Sequence, residues 1–137
     1  MSFSYNRTIY LSDTDAAGVI YFANALNICH EAYEAWLAEI GINLRKMLTE
    51  QTIVIPIAHA DIDFLRPIFC GEQLQINLEL KLIQDTEFMI NYQIFKRESL
   101  DKPLALAKTK HVCINPQTQT RTTLPESIIQ EMVNGQC

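Results

Sequence analysis

The stretch with chemistry in it is SDTDAAGVIYFAN, residues 12 to 24. Two carboxylates, Asp13 and Asp15, stand in a turn of small residues, and only Ala16, Ala17 and Gly18 separate Asp15 from an apolar run. If a helix begins near Tyr21 or Phe22, its first N–H groups have no partner within the helix. They lie at the positive end of the helix dipole, where an oxyanion or a polarised carbonyl is well received. Gly18 has no side chain to obstruct the approach of backbone and substrate. A carboxylate beside an electrophile held in this way suits ester or thioester hydrolysis. It attacks or activates water, while the N–H donors hold the developing negative oxygen. A thioester fits so sparse a site, because a thiolate leaves without a strong general acid. A plainer role stands beside this one: Asp ahead of a helix is an ordinary N-cap or turn residue. Asp13 fits that role, its side chain closing the turn around Asp15.

Other chemistries find less support. No Ser sits in a GxSxG setting. A DTD pair also occurs in acid-pair metal sites of phosphoryl-transfer enzymes, but neither further carboxylates nor a lysine follows in a recognisable pattern. HEAYE, residues 30 to 34, has Glu34 where HExxH has its second His, so no metal site is expected, and His30 and Glu31 should face a strand or solvent. His59 and His111 lie in strand-like segments and read as structural residues, with His59 having the alternative of lining an acyl pocket. Tyr21, Phe22, Tyr33 and Trp36 either stack on an aromatic acyl group or, at helical spacing, fill the core. No cofactor is expected.

The elements that must position these residues follow from periodicity. Phe22, Ala25, Leu26, Cys29, Ala32, Tyr33, Trp36, Leu37 and Ile40 recur at spacings of three and four, which predicts a helix over 22–40 stopped by Gly41. Its apolar stripe is wide, so the helix should be gripped by its surroundings. A weaker helical turn follows at 43–50. Residues 3–11 read as a first strand, with Phe3, Tyr5, Arg7, Ile9 and Leu11 on one side. From residue 53 the period becomes two: IVIPIAHADIDFL, with Pro56 marking an edge or irregular position, then QLQINLELKLI, FMINYQIFK and LALAKTKHVCIN. Residues 125–133 form a short last helix with Pro125 and Glu126 in its first turn. Short turns imply antiparallel neighbours, and one helix with one half-polar sheet gives a two-layer α+β domain. A 19-residue helix is roughly 28 Å long and a nine-residue strand roughly 30 Å, so the sheet is able to curl around the helix along its axis.

The chain has 137 residues, nearly half of them apolar, and reads as one domain, 1–137, with a continuous core. A formal charge of −5 argues against a general nucleic-acid binder. Cys29, Cys70, Cys113 and Cys137 show no metal-ribbon or redox-pair spacing. With no leader-like stretch at the start, free thiols and a soluble, cytoplasmic protein are expected. The best candidate for a membrane span carries His30, Glu31 and Glu34, so none is expected.

DTDAAGVIYFANALNICHEAYEAWL resembles the signature of the 4-hydroxybenzoyl-CoA thioesterase family of hot-dog-fold enzymes. The matching parts are Asp15, Ala16-Ala17, Gly18, Val19-Ile20, Tyr21-Phe22 and the Glu31 to Trp36 segment. HADIDFLRPIFCGEQLQI is similar to the family's second strand and turn. Within the family, YLSDTDAAGVIYFAN, CHEAYEAWL, HADIDF and KTKHVCI resemble the 1,4-dihydroxy-2-naphthoyl-CoA thioesterases of cyanobacterial type, which act in phylloquinone (vitamin K1) biosynthesis. The resemblance implies a hot-dog fold, a five-stranded antiparallel sheet wrapped around one long central helix. It also implies homodimers with sites at the subunit interface, commonly paired into tetramers, and an acyl-CoA substrate. Asp15 becomes the catalytic carboxylate, with the polarising amide near Phe22 and Gly18 in the approach loop. Some relatives carry His where this chain has Phe22, which argues against their acyl-chain specificity. The alternatives are a thioesterase for short aliphatic acyl-CoA or acyl carrier protein, and a non-catalytic acyl-binding protein. Phosphates of CoA would be held by surface cations, of which Arg66, Lys96, Arg97, Lys108 and Lys110 are available.

Overall fold

Strict alternation in QLQINLELKL builds the longest strand, and the three-and-four spacing after Tyr21 builds the longest helix. A computed structural model describes residues 3–135; Cys137 falls outside them. The chain runs β1 (Phe3–Thr8), α1 (Phe22–Glu39), α2 (Leu44–Glu50), β2 (Ile57–Phe64), β3 (Gln73–Gln84), β4 (Glu87–Lys96), β5 (Ala105–Val112), β6 (Ile114–Asn115), β7 (Thr120–Arg121) and α3 (Glu126–Asn134). β1 to β5 form one sheet in the order β1-β3-β4-β5-β2, with every neighbouring pair antiparallel. α1 lies against its inner face. Ala25, Ile28, Cys29, Ala32, Trp36 and Leu37 of the helix are buried with Leu74, Ile76, Leu78, Phe88, Ile90 and Ile94 of the sheet. The two layers meet ring to ring at Tyr33, whose centroid is 6.4 Å from Phe88 and 4.4 Å from His111. This is the hot-dog architecture expected from the sequence.

Several differences have local causes. The first strand ends at Thr8, not Leu11, because the Asp13 carboxylate accepts the Tyr10 N–H at 2.8 Å and draws the chain into a 3-10 turn over Leu11–Asp13. Leu11 is left 76% exposed. β2 does not pair with β3, which follows it; the link over residues 65–72 carries the chain across the sheet, and β2 takes the far edge beside β5. The last long strand breaks at Cys113, after which β6 pairs with β7 in a small hairpin. Ile28, outside the predicted stripe, is buried, so the helix is gripped more widely than the pattern implied. No helix among the described residues is long and apolar enough to cross a membrane.

Candidate active site

The turn is a miniature hairpin made by the residue types in DTDAAG. Thr14 and Ile20 bridge across it, Asp15 N–H donates to Val19 O at 2.9 Å, and Gly18 N–H donates to Asp15 O at 3.0 Å. The Asp15 side chain accepts the Ala17 N–H on Oδ1 at 2.8 Å, an Asx turn that needs a short side chain with an acceptor oxygen at that position. Gly18 sits at φ +80°, a left-handed conformation costly for any residue with a Cβ, and open space surrounds the place a Cβ would occupy. Oδ2 of Asp15 has no hydrogen bond among the described residues, and the side chain is exposed in the single chain. Asp15 therefore sits in a rigid backbone frame with one oxygen unengaged.

The helix start beside it is uncapped. Tyr21 is the N-cap residue, in extended conformation, and supplies no side-chain cap; the first turn of α1 contains no acidic residue. Tyr21 N–H donates to Asp13 O at 2.9 Å and Asn24 N–H turns back to Tyr21 O at 2.8 Å. The Phe22 and Ala23 N–H groups have no acceptor among the described residues, so the positive end of α1 is open to an incoming oxygen.

Beyond the helix start lies a cleft of about 300 Å³ lined by Val19, Ile20, Phe22, Phe64, Leu65, Arg66, Pro67 and Ile68. Its walls are tied together by backbone bonds from Ile20 N–H to Ile68 O at 2.8 Å and from Cys70 N–H to Gly18 O at 3.1 Å. Phe22, at 64% exposure, presents an aromatic face here, and the ring of Tyr21, at 46%, lies 4.9 Å from it. Tyr33 and Trp36 are buried in the core. The four aromatics named from the sequence thus divide into two at the site and two in the core.

Asp15, Gly18, Tyr21 and Phe22 share one end of α1. His59 is not brought to them within the chain. It lies on the outer sheet face, its Nε2 2.9 Å from Asp61 Oδ2, with Lys108 Nζ 3.8 Å from the same oxygen. Among the five cations considered for CoA, Lys96, Lys108 and Lys110 face Glu72, Asp61 and Glu87 at 3.2, 3.8 and 3.6 Å. Arg66 and Arg97 have no ion pair among the described residues, and only Arg66 of the five lines the cleft. His30 stands 3.8 Å from Glu34, whereas Glu31 turns to Arg7 of β1. Sequence reasoning missed Phe64, Leu65 and Ile68 as the second wall; their FLRPIF segment read only as a strand end, and sequence periodicity carries no signal for which loop faces a helix start.

A family model for the thioesterase-like superfamily matches residues 9–132. A protein of Crocosphaera subtropica named 1,4-dihydroxy-2-naphthoyl-CoA hydrolase is 55% identical over 133 residues, which cover 97% of either chain. One of the same name from Trichodesmium erythraeum is 52% identical over 136 residues, 99% of either chain. Among solved structures, a 1,4-dihydroxy-2-naphthoyl-CoA thioesterase from Synechocystis superposes with a TM-score of 0.93 at 37% identity, over 98% of this chain and 97% of that one.

Proposed function

The chain belongs to the thioesterase-like superfamily, and on that premise we propose that it hydrolyses 1,4-dihydroxy-2-naphthoyl-CoA at the Asp15 turn. The substrate follows from full-length relatives that carry that activity in their names at half identity or better. The observation that carries the site is that one short segment, Asp15 to Phe22, holds an unengaged carboxylate oxygen, an uncapped helix start and one wall of an apolar cleft. The acyl group enters the cleft beside Phe22, and the thioester oxygen points to the amides of Phe22 and Ala23. Asp15 then either adds to the carbonyl carbon, giving a mixed anhydride that water opens, or takes a proton from water as that water adds. Either route breaks the C–S bond, consumes one water and yields the naphthoic acid and the CoA thiol. Phylloquinone biosynthesis is the corresponding setting, in the cytoplasm, with residues 1–137 acting as one domain.

The same reading includes a homodimer, paired into tetramers. β2 is an edge strand with one side of its backbone unpaired among the described residues and mostly exposed side chains, Ile57 and Phe64 at 41% and 42% among them. Pairing there would bring His59 of each copy into the seam between them.

The test is thiol release from naphthoyl, benzoyl and butyryl thioesters of CoA by the wild-type chain and by Asp15→Asn. Fastest turnover on the naphthoyl ester, lost in the variant with CoA binding retained, supports the reading. Turnover near wild type in Asp15→Asn refutes the assignment of the carboxylate, and preference for the butyryl ester refutes the substrate. Light scattering on a size-exclusion column reads the oligomer.

A further inference from the structure

Asp13 is the least exposed residue of a turn that is otherwise open, at 9%. Its carboxylate receives the Arg7 guanidinium on both oxygens, Nη1 on Oδ2 and Nη2 on Oδ1, together with the Tyr10 N–H. The same guanidinium donates Nε to Glu31 Oε1 at 3.0 Å, Nη2 to Glu31 Oε2 at 3.3 Å and Nη1 to Thr8 O at 2.6 Å, so every N–H it has finds an acceptor. Tyr5 O–H joins it on Glu31 at 3.0 Å. The Arg7 hydrogen bonds hold the Asp13 carboxyl below the usual carboxylate range, against the opposing effect of burial. A fork that grips two carboxylates at once is a geometry a lysine ammonium does not reproduce.

What this junction fixes is narrow. Asp13 O accepts the Tyr21 N–H at 2.9 Å and Asn24 Nδ2 at 3.2 Å, so Asp13 is the joint between the turn and the first residues of α1. Asp15 lies two positions further along one arm of that joint, and the Phe22 and Ala23 amides lie on the other. We propose that Arg7, with Asp13 and Glu31, is a positioning device for the hydrolysis: it sets the carboxylate of Asp15 relative to the open helix amides without touching substrate. This rests on the reading of Asp15 as the catalytic carboxylate. The base of the turn is separately held to the sheet region by the Ile20–Ile68, Cys70–Gly18 and Gly71–Ile9 backbone bonds. Loosening the Arg7 fork therefore misplaces reacting groups more than it unfolds the chain, and displacements near 1 Å cost rate on the order of a hundredfold.

Arg7→Lys, Asp13→Asn, Glu31→Gln and Asp15→Asn are compared for kcat and KM on 1,4-dihydroxy-2-naphthoyl-CoA, each assayed well below its own thermal midpoint. Arg7→Lys and Asp13→Asn should lose about 10- to 100-fold in kcat with KM within about threefold. Glu31→Gln, which keeps one acceptor on a half-exposed side chain, should lose less and serves if either of the others fails to fold. Wild-type kcat in the folded variants, with Asp15→Asn inactive, overturns the positioning role and leaves an ordinary ion pair. Full activity in Asp15→Asn is a different failure: it removes the carboxylate on which the proposal stands, and the proposal falls with it.

Discussion

Two polar sites lie along α1, and they differ in almost every physical respect. At the helix start, Asp15 is exposed, one of its oxygens is unengaged, and the neighbouring amides await a partner. Midway along the helix, His111 is sealed in the core at 0% exposure, stacked on Phe88 at 4.8 Å and beneath Tyr33. Its Nε2 lies 2.7 Å from Thr109 Oγ1, which in turn meets Tyr92 O–H at 3.0 Å, while Nδ1 has no hydrogen bond. Burial, aided by His30, pushes the His111 imidazole down to about 4. A strongly shifted histidine is the usual flag for a functional group, yet here the side chain has no exposed surface. The proposed hydrolysis therefore rests on the group with access and open donors beside it, not on the one with the shifted titration.

The comparison is broken most directly by Asp15→Asn. Replacing a carboxylate that attacks or activates water should lower kcat by about 10²- to 10⁴-fold, with the thermal midpoint nearly unmoved, because the Asx turn to Ala17 survives on the amide oxygen. A variant that melts early and keeps its turnover would reverse the two roles.

His111 supplies the converse. Unfolded, it titrates near 6.5; folded, near 4. Above pH 6.5 both states are neutral and the group has no effect on stability. Between those values the unfolded chain binds a proton that the folded chain refuses, so stability falls as pH falls, by about 1.4 kcal/mol per unit. Urea unfolding at pH 7 and pH 4.5 should show His111→Phe losing about 2–3 kcal/mol less than wild type over that interval. Turnover at pH 7.5 should stay within about threefold of wild type. An acid response identical to wild type would mean that the imidazole is protonated in place.

Much of this was legible in the sequence, and what was not has a common cause. Spacing from Phe22 to Leu37 gives α1 because helical neighbours are local, and alternation from Leu74 to Leu78 gives β3 for the same reason. The turn that carries Asp15 and Gly18 was legible because an acid and small residues before an apolar run are a local pattern too. The place of β2 was not, since nothing in residues 65–72 states which edge the chain will reach. Nor was the Arg7–Glu31 pair, which spans 24 residues in sequence and exists only because β1 and α1 pack at one particular offset. Alternation put Leu11 inside a strand; a single side-chain bond from Asp13 ended the strand first. Local order is written in residue types, whereas contacts between elements depend on packing the sequence does not spell out.

A smaller effect is expected at the cleft wall. Phe22 is exposed and contributes little to the core, so Phe22→Ala should leave the thermal midpoint within about 2 °C, a change below about 1 kcal/mol for a chain of this size. Its loss removes an aromatic face worth about 1 kcal/mol to a stacked acyl ring, which is about a fivefold rise in KM for the naphthoyl ester. The butyryl ester, which has no ring to stack, should be less affected. Equal losses on both esters would move the acyl group out of this cleft.

The finest distinction uses two glycines at opposite ends of α1. Gly18 sits at φ +80° and Gly41 at φ +93°, so alanine at either position meets the same left-handed penalty, about 1 kcal/mol. Each variant should melt about 3–5 °C lower. Their surroundings differ. A Cβ at Gly41 would come within 3.8 Å of Glu131 Oε2, an ordinary contact, whereas at Gly18 it would project into space that no protein atom fills. On the proposed function, that space beside Asp15 is the path of the thioester. Gly18→Ala should therefore lose up to about tenfold in kcat/KM, beyond its stability cost, while Gly41→Ala matches it in melting and keeps wild-type turnover. Matched losses in both measurements would reduce Gly18 to a turn residue, because the backbone cost is shared and only the approach of substrate separates the two positions.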